Sequence, residues 1–131
     1  MCVVFDRAYD DIVPFGGTKI ATATAAQQLL DRLLARGGPP YFVELQRASG
    51  EFLLLGLGPA CVVQFTSAGD ESKNYMIRGS GSLGEYIEFL MGDTPTPIPA
   101  RYGIVPSTLR QAVTAFIETG RCDPNMDWEE I

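Results

Sequence analysis

Between Tyr41 and Met91 the chain carries four short β-like runs: Tyr41 to Arg47, Phe52 to Leu57, Cys61 to Ser67 and Glu85 to Met91. Asn74 to Arg78 is a candidate fifth. The connectors Ala48-Ser49-Gly50, Gly58-Pro59 and Ala68-Gly69-Asp70 are rich in turn residues and too short to hold a crossover helix. Successive runs must turn back on one another, which predicts a meandering antiparallel sheet of about five or six strands. Met1 to Phe5 reads as a first strand, continuing irregularly toward Val13.

Two amphipathic helices complete an α+β reading. In Thr24 to Arg36, the residues Ala26, Leu29, Leu30, Leu33 and Leu34 form one apolar stripe. Thr22 or Thr24 can cap its start, and Gly37 to Pro40 stop it. Leu109, Ala112, Val113, Phe116 and Ile117 repeat the pattern, with Ser107 as the expected N-cap and Gly120 as the stop. Between sheet and second helix, Pro95, Pro97, Pro99 and Pro106 exclude both a helix and a central strand, so an extended connection is expected over Asp93 to Pro106.

With 131 residues and no internal repeat, the chain fits one domain, residues 1–131, with residues 1–20 the least defined part. Strand alternation points Val43, Leu45, Leu53, Leu55, Val63, Phe65, Ile87 and Phe89 toward the helices, both packed on that face. The opposite face then shows Phe42, Glu44, Gln46, Gln64, Thr66, Tyr86 and Glu88. The tail, Arg121 to Ile131, carries four acids against one arginine. Trp128 lies within it, and a tryptophan usually buries much of its ring, so the tail is expected to dock on the sheet or the second helix.

Charge narrows the function classes. Sixteen acidic against ten basic residues give a formal net charge of −6, which repels phosphate backbones and argues against direct nucleic-acid binding. There is no histidine, so the side chain best suited to acid–base work near neutrality is missing. Cys2, Cys61 and Cys122 have no zinc-ligand spacing and read as reduced thiols, Cys61 as core packing. No metal or cofactor site is expected. With no apolar run long enough to span a bilayer and no signal-peptide pattern after Met1, a cytoplasmic protein without membrane contact is expected.

Catalytic motifs fail on context. Gly79-Ser80-Gly81-Ser82-Leu83-Gly84 fits GxGxxG, but an alternating strand follows it instead of a helix, so it reads as a loop. Glu85 and Glu88 fall on opposite sides of a strand, and Asp10 with Asp11 reads as solvated charge. Ser80 and Ser82 lack the S-x-x-K spacing that would pair them with Lys73. No nucleophile, base and stabiliser can be assembled, and a non-enzymatic protein is expected. Tyr86, Tyr102 and Trp128 lie near acidic positions, a combination suited to a protein interface in which rings anchor and carboxylates steer a basic partner.

The C-terminal half carries a family resemblance. Gly84-Glu85-Tyr86-Ile87-Glu88-Phe89, Ile98-Pro99, Ile104-Val105-Pro106 before a helix, Phe116-Ile117-Glu118-Thr119-Gly120 and Trp128-Glu129-Glu130 together resemble the bacterial polymorphic-toxin immunity protein family 1. Upstream, Leu55-Gly56-Leu57-Gly58 and Val62-Val63-Gln64-Phe65 extend the resemblance to about residues 20–131. It implies a cytoplasmic inhibitor of a toxin's C-terminal domain, often a zinc-dependent nucleic-acid deaminase, bound as a monomer in a 1:1 complex. The toxin-binding residues expected on that footing are Glu44, Gln64, Asp70, Glu71, Tyr86, Glu88, Tyr102, Asp127, Trp128 and Glu129. A small-molecule-binding domain using the Gly79 to Gly84 loop, or a structural domain that oligomerises through its open sheet face, are the alternatives.

Overall fold

The computed structural model describes residues 3–7, 18–35, 38–79, 84–91 and 94–131. The readings on Gly37, on Ser80 to Leu83 and on a first strand continuing to Val13 fall outside those residues. Both apolar stripes form helices close to their expected limits, α1 at Ala23–Ala35 and α2 at Pro106–Thr119. Thr22 caps α1 by accepting the Ala25 N–H through its Oγ1 at 3.1 Å. Gly120 ends α2 in the left-handed region at φ 72°, where glycine carries no Cβ penalty. Ser107 is not the cap of α2. Pro106 occupies its first turn, where a missing N–H costs nothing, and this moves the cap position back to Val105, which has no capping side chain.

Nine strands are described: β1 Val3–Arg7, β2 Thr18–Ile20, β3 Tyr41–Arg47, β4 Phe52–Leu57, β5 Val62–Thr66, β6 Asn74–Ile77, β7 Tyr86–Met91, β8 Thr94–Pro99 and β9 Trp128–Glu130. Seven run in the order β2-β1-β3-β4-β5-β6-β9, and the β7–β8 hairpin branches from β3. The strand count exceeds the five or six expected because β2 and β9 are three-residue edges and β8 is proline-rich, none with an alternating apolar pattern to announce it. All ladders are antiparallel except the single parallel contact of Tyr41 in β3 with Leu90 in β7.

β8 shows how a proline-rich segment can still be a strand. Tyr86, Glu88 and Leu90 lie opposite Pro99, Pro97 and Pro95, while Ala100 donates its N–H to the Glu85 carbonyl at 2.8 Å. The hydrogen-bonded positions of β8 are thus the non-proline ones, and the proline nitrogens face the outer edge. A 3₁₀ turn at Ala100–Tyr102 then leads toward α2.

The sheet is covered on both faces, unequally. α1 and α2 pack on Tyr41, Val43, Leu45, Leu53, Leu55, Leu57, Val63 and Phe65, with Phe65 edge-on to Phe116 at 6.2 Å between ring centroids. Arg47 ties α2 to β3 by donating to the Phe116 and Ile117 carbonyls at 2.8 and 3.1 Å, a cation at a helix C-terminus. The far face holds a smaller cluster of Phe42, Val62, Met76, Phe89 and Tyr102, bordered by Ile87 and Ile98. Phe42 is therefore buried and not displayed, because the hairpin folds over it and brings Phe89 within 5.2 Å. Phe89 is a core residue of this second cluster and Ile87 packs half-buried against it, both on the side away from the helices, and Thr66 too is buried. Gly56 makes the cover possible, since a Cβ there would meet Phe89 Cε1 at 2.8 Å.

Candidate functional site

Where the hairpin stops, the far face is polar. Glu44, Gln46 and Gln64 are half-buried there, and Asn74 Oδ1 accepts from Thr66 Oγ1 at 2.7 Å and from Gln64 Nε2 at 3.3 Å. These groups form a tethered polar strip, and Glu44 is not a free carboxylate.

The tail joins this face through β9, which pairs with β6 in the register Ile77 to Trp128, Met76 to Glu129 and Tyr75 to Glu130. Alternation sends Trp128 toward the helices and Glu129 to the far face. Trp128 stands edge-on to Phe65 at 6.5 Å, and its Nε1 donates to the Asp123 carbonyl at 2.9 Å. Glu129 receives Arg78 Nε at 2.9 Å, Arg101 NH2 at 3.3 Å and the Tyr102 hydroxyl. The hydrogen bond from Tyr102, followed by the two guanidinium groups, holds the Glu129 carboxyl below its ordinary range. Tyr102 is only 4% exposed, and burial together with the carboxylate it faces pushes its phenol above the usual value.

Of the ten residues singled out from sequence, Glu44 and Gln64 belong to the half-buried polar strip, and the other eight separate into two sets. Tyr102, Trp128 and Glu129 are held inside the fold, and Asp127 lies 3.8 Å from Arg78. Asp70 and Glu71, in the turn between β5 and β6, are exposed, as are Tyr86 and Glu88 on β7. None of these three acids makes an ion pair with a described residue, nor does the neighbouring Glu85. Tyr86 is 67% exposed, the largest value among the big apolar side chains described, and it shares the outer face of β7 with Glu88, while Glu85 falls on the side of the cleft beside Ile87.

Sequence reasoning passed over Arg78, Arg101 and Val105. The arginines are the partners of the tail acids, and Val105 is 59% exposed on the rim of a cleft of about 510 Å³ lined also by Glu85, Ile87, Ala100 and Gly103. An Ile-Val-Pro run before a helix hints that the valine is a cap residue, but nothing in its type signals exposure. At the same cleft, Gly79, the first glycine of the GxGxxG pattern, is taken up by contacts within the fold. Its N–H donates to the Arg101 carbonyl at 2.6 Å, and a Cβ would run into the Gly103 carbonyl. Its glycine character serves a close backbone approach within the fold.

Cys61 is fully buried and donates its thiol to the Gly58 carbonyl at 3.3 Å, while burial raises Cys122 to about 11. Neither offers a thiolate. Among the described residues no group of three Cys, Asp and Glu side chains converges on a metal position, and no helix is long and apolar enough to cross a membrane. What the surface does offer is an exposed ring among unneutralised carboxylates. The family model described as Immunity protein Imm1 matches residues 16–130. No curated protein matches the chain.

Proposed function

The chain belongs to the Imm1 immunity protein family, and from that premise we propose that it neutralises a cognate toxin domain by binding it one to one, performing no chemistry itself. The toxin class that best fits the surface is a nucleic-acid deaminase. Such an enzyme needs a basic groove to hold its phosphate-bearing substrate and a reachable zinc pocket, and an acidic protein competes for both.

One observation carries this reading: Asp70, Glu71, Glu85 and Glu88 are exposed and unpaired by described residues, with Tyr86 on the same face of β7 as Glu88. An exposed aromatic on the same face as a free carboxylate supplies the anchor and the steering that a basic partner selects. The tail acids contribute less to steering than their sequence density suggests, because Lys73, Arg78 and Arg101 lie beside them.

The test uses the toxin domain encoded by the adjacent reading frame, co-produced with this chain in cells that the toxin alone kills. The combined variant Asp70→Lys, Glu71→Lys, Glu85→Lys, Glu88→Lys should slow association by about 10-fold to 1,000-fold at low salt, with the difference shrinking as salt is raised. Stopped-flow mixing reads it directly. Association unchanged by four charge reversals would remove these residues from the interface.

A further inference from the structure

Resting on the immunity reading, the backbone of β9 leaves polar groups that a toxin could bind. Arg78 donates its N–H to the Asp127 carbonyl at 2.8 Å, and Ile131 donates to the Asn74 carbonyl at 2.9 Å. These bonds fix the phase of the ladder, so that Asp127, Glu129 and Ile131 direct their backbone groups at β6. Trp128 and Glu130 must then point their N–H and C=O groups the other way, off the end of the sheet. Among the described residues no strand pairs with that edge.

The sheet treats its ends differently. On β8 the nitrogens of Pro95, Pro97 and Pro99 face outward, so that edge has no donor at those positions and cannot complete a new ladder. β9 keeps both donors and acceptors, although an edge strand left in that state invites pairing. We propose that the outer edge of β9 is a β-augmentation site, and that its occupant is an extended, basic segment of the cognate toxin.

Charge selects that occupant over a second copy of this chain. An antiparallel pairing of two β9 strands, Trp128 against Glu130, sets each Glu129 opposite the other, and like charges directly opposite destabilise a pair. A partner strand with lysine or arginine meets Glu130 and Asp127 instead, whose side chains are 55% and 67% exposed and sit 3.8 Å from their own basic neighbours. Loose pairs of that kind are readily exchanged for intermolecular ones. Main-chain bonds to Trp128 and Glu130 would supply the grip, and the flanking acids the preference for a basic sequence.

The experiment compares Glu130→Pro with Glu130→Thr. Proline removes the outward N–H and places its ring on the open edge, as the β8 prolines already do, whereas threonine keeps the N–H and removes only the charge. Both are titrated against the toxin domain encoded by the adjacent reading frame. Glu130→Pro should bind at least about tenfold more weakly than Glu130→Thr. In the unmodified complex, the Trp128 and Glu130 amides should exchange hydrogen at least about tenfold more slowly than in the free protein. Equal binding by the two variants, or unchanged exchange at both amides, overturns the inference while leaving the immunity reading intact. Should Glu130→Pro fail to fold, the exchange measurement decides alone. An unmodified chain that neither binds nor protects overturns the immunity reading itself, and the inference with it.

Discussion

Glu129 is the residue on which the tail's attachment turns. Its carboxylate accepts from Tyr102, Arg78 and Arg101, groups contributed by the 3₁₀ turn and the end of β6. Because these contacts favour the ionised form, its stabilising contribution is complete above the ordinary glutamate value of 4.5 and is lost as pH falls through the lowered value in the fold. Tyr102 acts in the opposite sense. Its raised value means that its contribution is present below the ordinary value of 10 and lost as pH rises beyond it. Thermal melts of Glu129→Gln should therefore lie below wild type at about pH 7, and the gap should narrow as pH falls below the ordinary glutamate value of 4.5. A gap that stays constant over that range would show that the carboxylate charge does not hold the tail. None of this lock was legible in the sequence. Glu129 and Tyr102 are 27 positions apart, and their meeting depends on β9 pairing with β6. Cys61 was legible, because an isolated thiol with no partner spacing most often packs in a core.

At the scale of elements, what could be read depended on whether the signal was local. The helices were legible because their stripes repeat at helical spacing and end at a glycine or proline. β3 and β4 were legible to the residue, since alternation and short turns fix a hairpin. The β7–β8 hairpin was not, because its return to β3 is a long-range choice that no neighbouring residue announces. That return is what buries Phe42 and turns a supposed display face into a second small core. Gly56 marks the place where hairpin and sheet come closest. Gly56→Ala would set a Cβ 2.5 Å from Val62 Cγ2 and 2.8 Å from Phe89 Cε1. Overpacking of that kind costs about 1–3 kcal/mol. Urea unfolding should show the midpoint falling with the slope unchanged. An unshifted midpoint would mean that the hairpin does not press on the sheet there.

Over the whole molecule, the net charge of −6 is not evenly available. Arginines within the fold answer the acids of the tail and of β4's start, while among the described residues Asp70, Glu71, Glu85, Glu88 and, on α2, Glu118 are exposed carboxylates with no ion pair. Composition gives the sign of the chain's own charge, but only the fold shows which carboxylates are left facing solvent. The same holds for the aromatics, since Tyr102 and Trp128 are placed within the fold and Tyr86 outside it. On the proposed reading the chain is a plug that acts by equivalents, which is where it would differ from an enzyme. The activity of the toxin domain encoded by the adjacent reading frame should fall linearly as this chain is added and vanish at one equivalent, with no dependence on incubation time once binding is complete. Full toxin activity at several-fold excess, or loss of activity at a small fraction of an equivalent, would contradict neutralisation by stoichiometric binding.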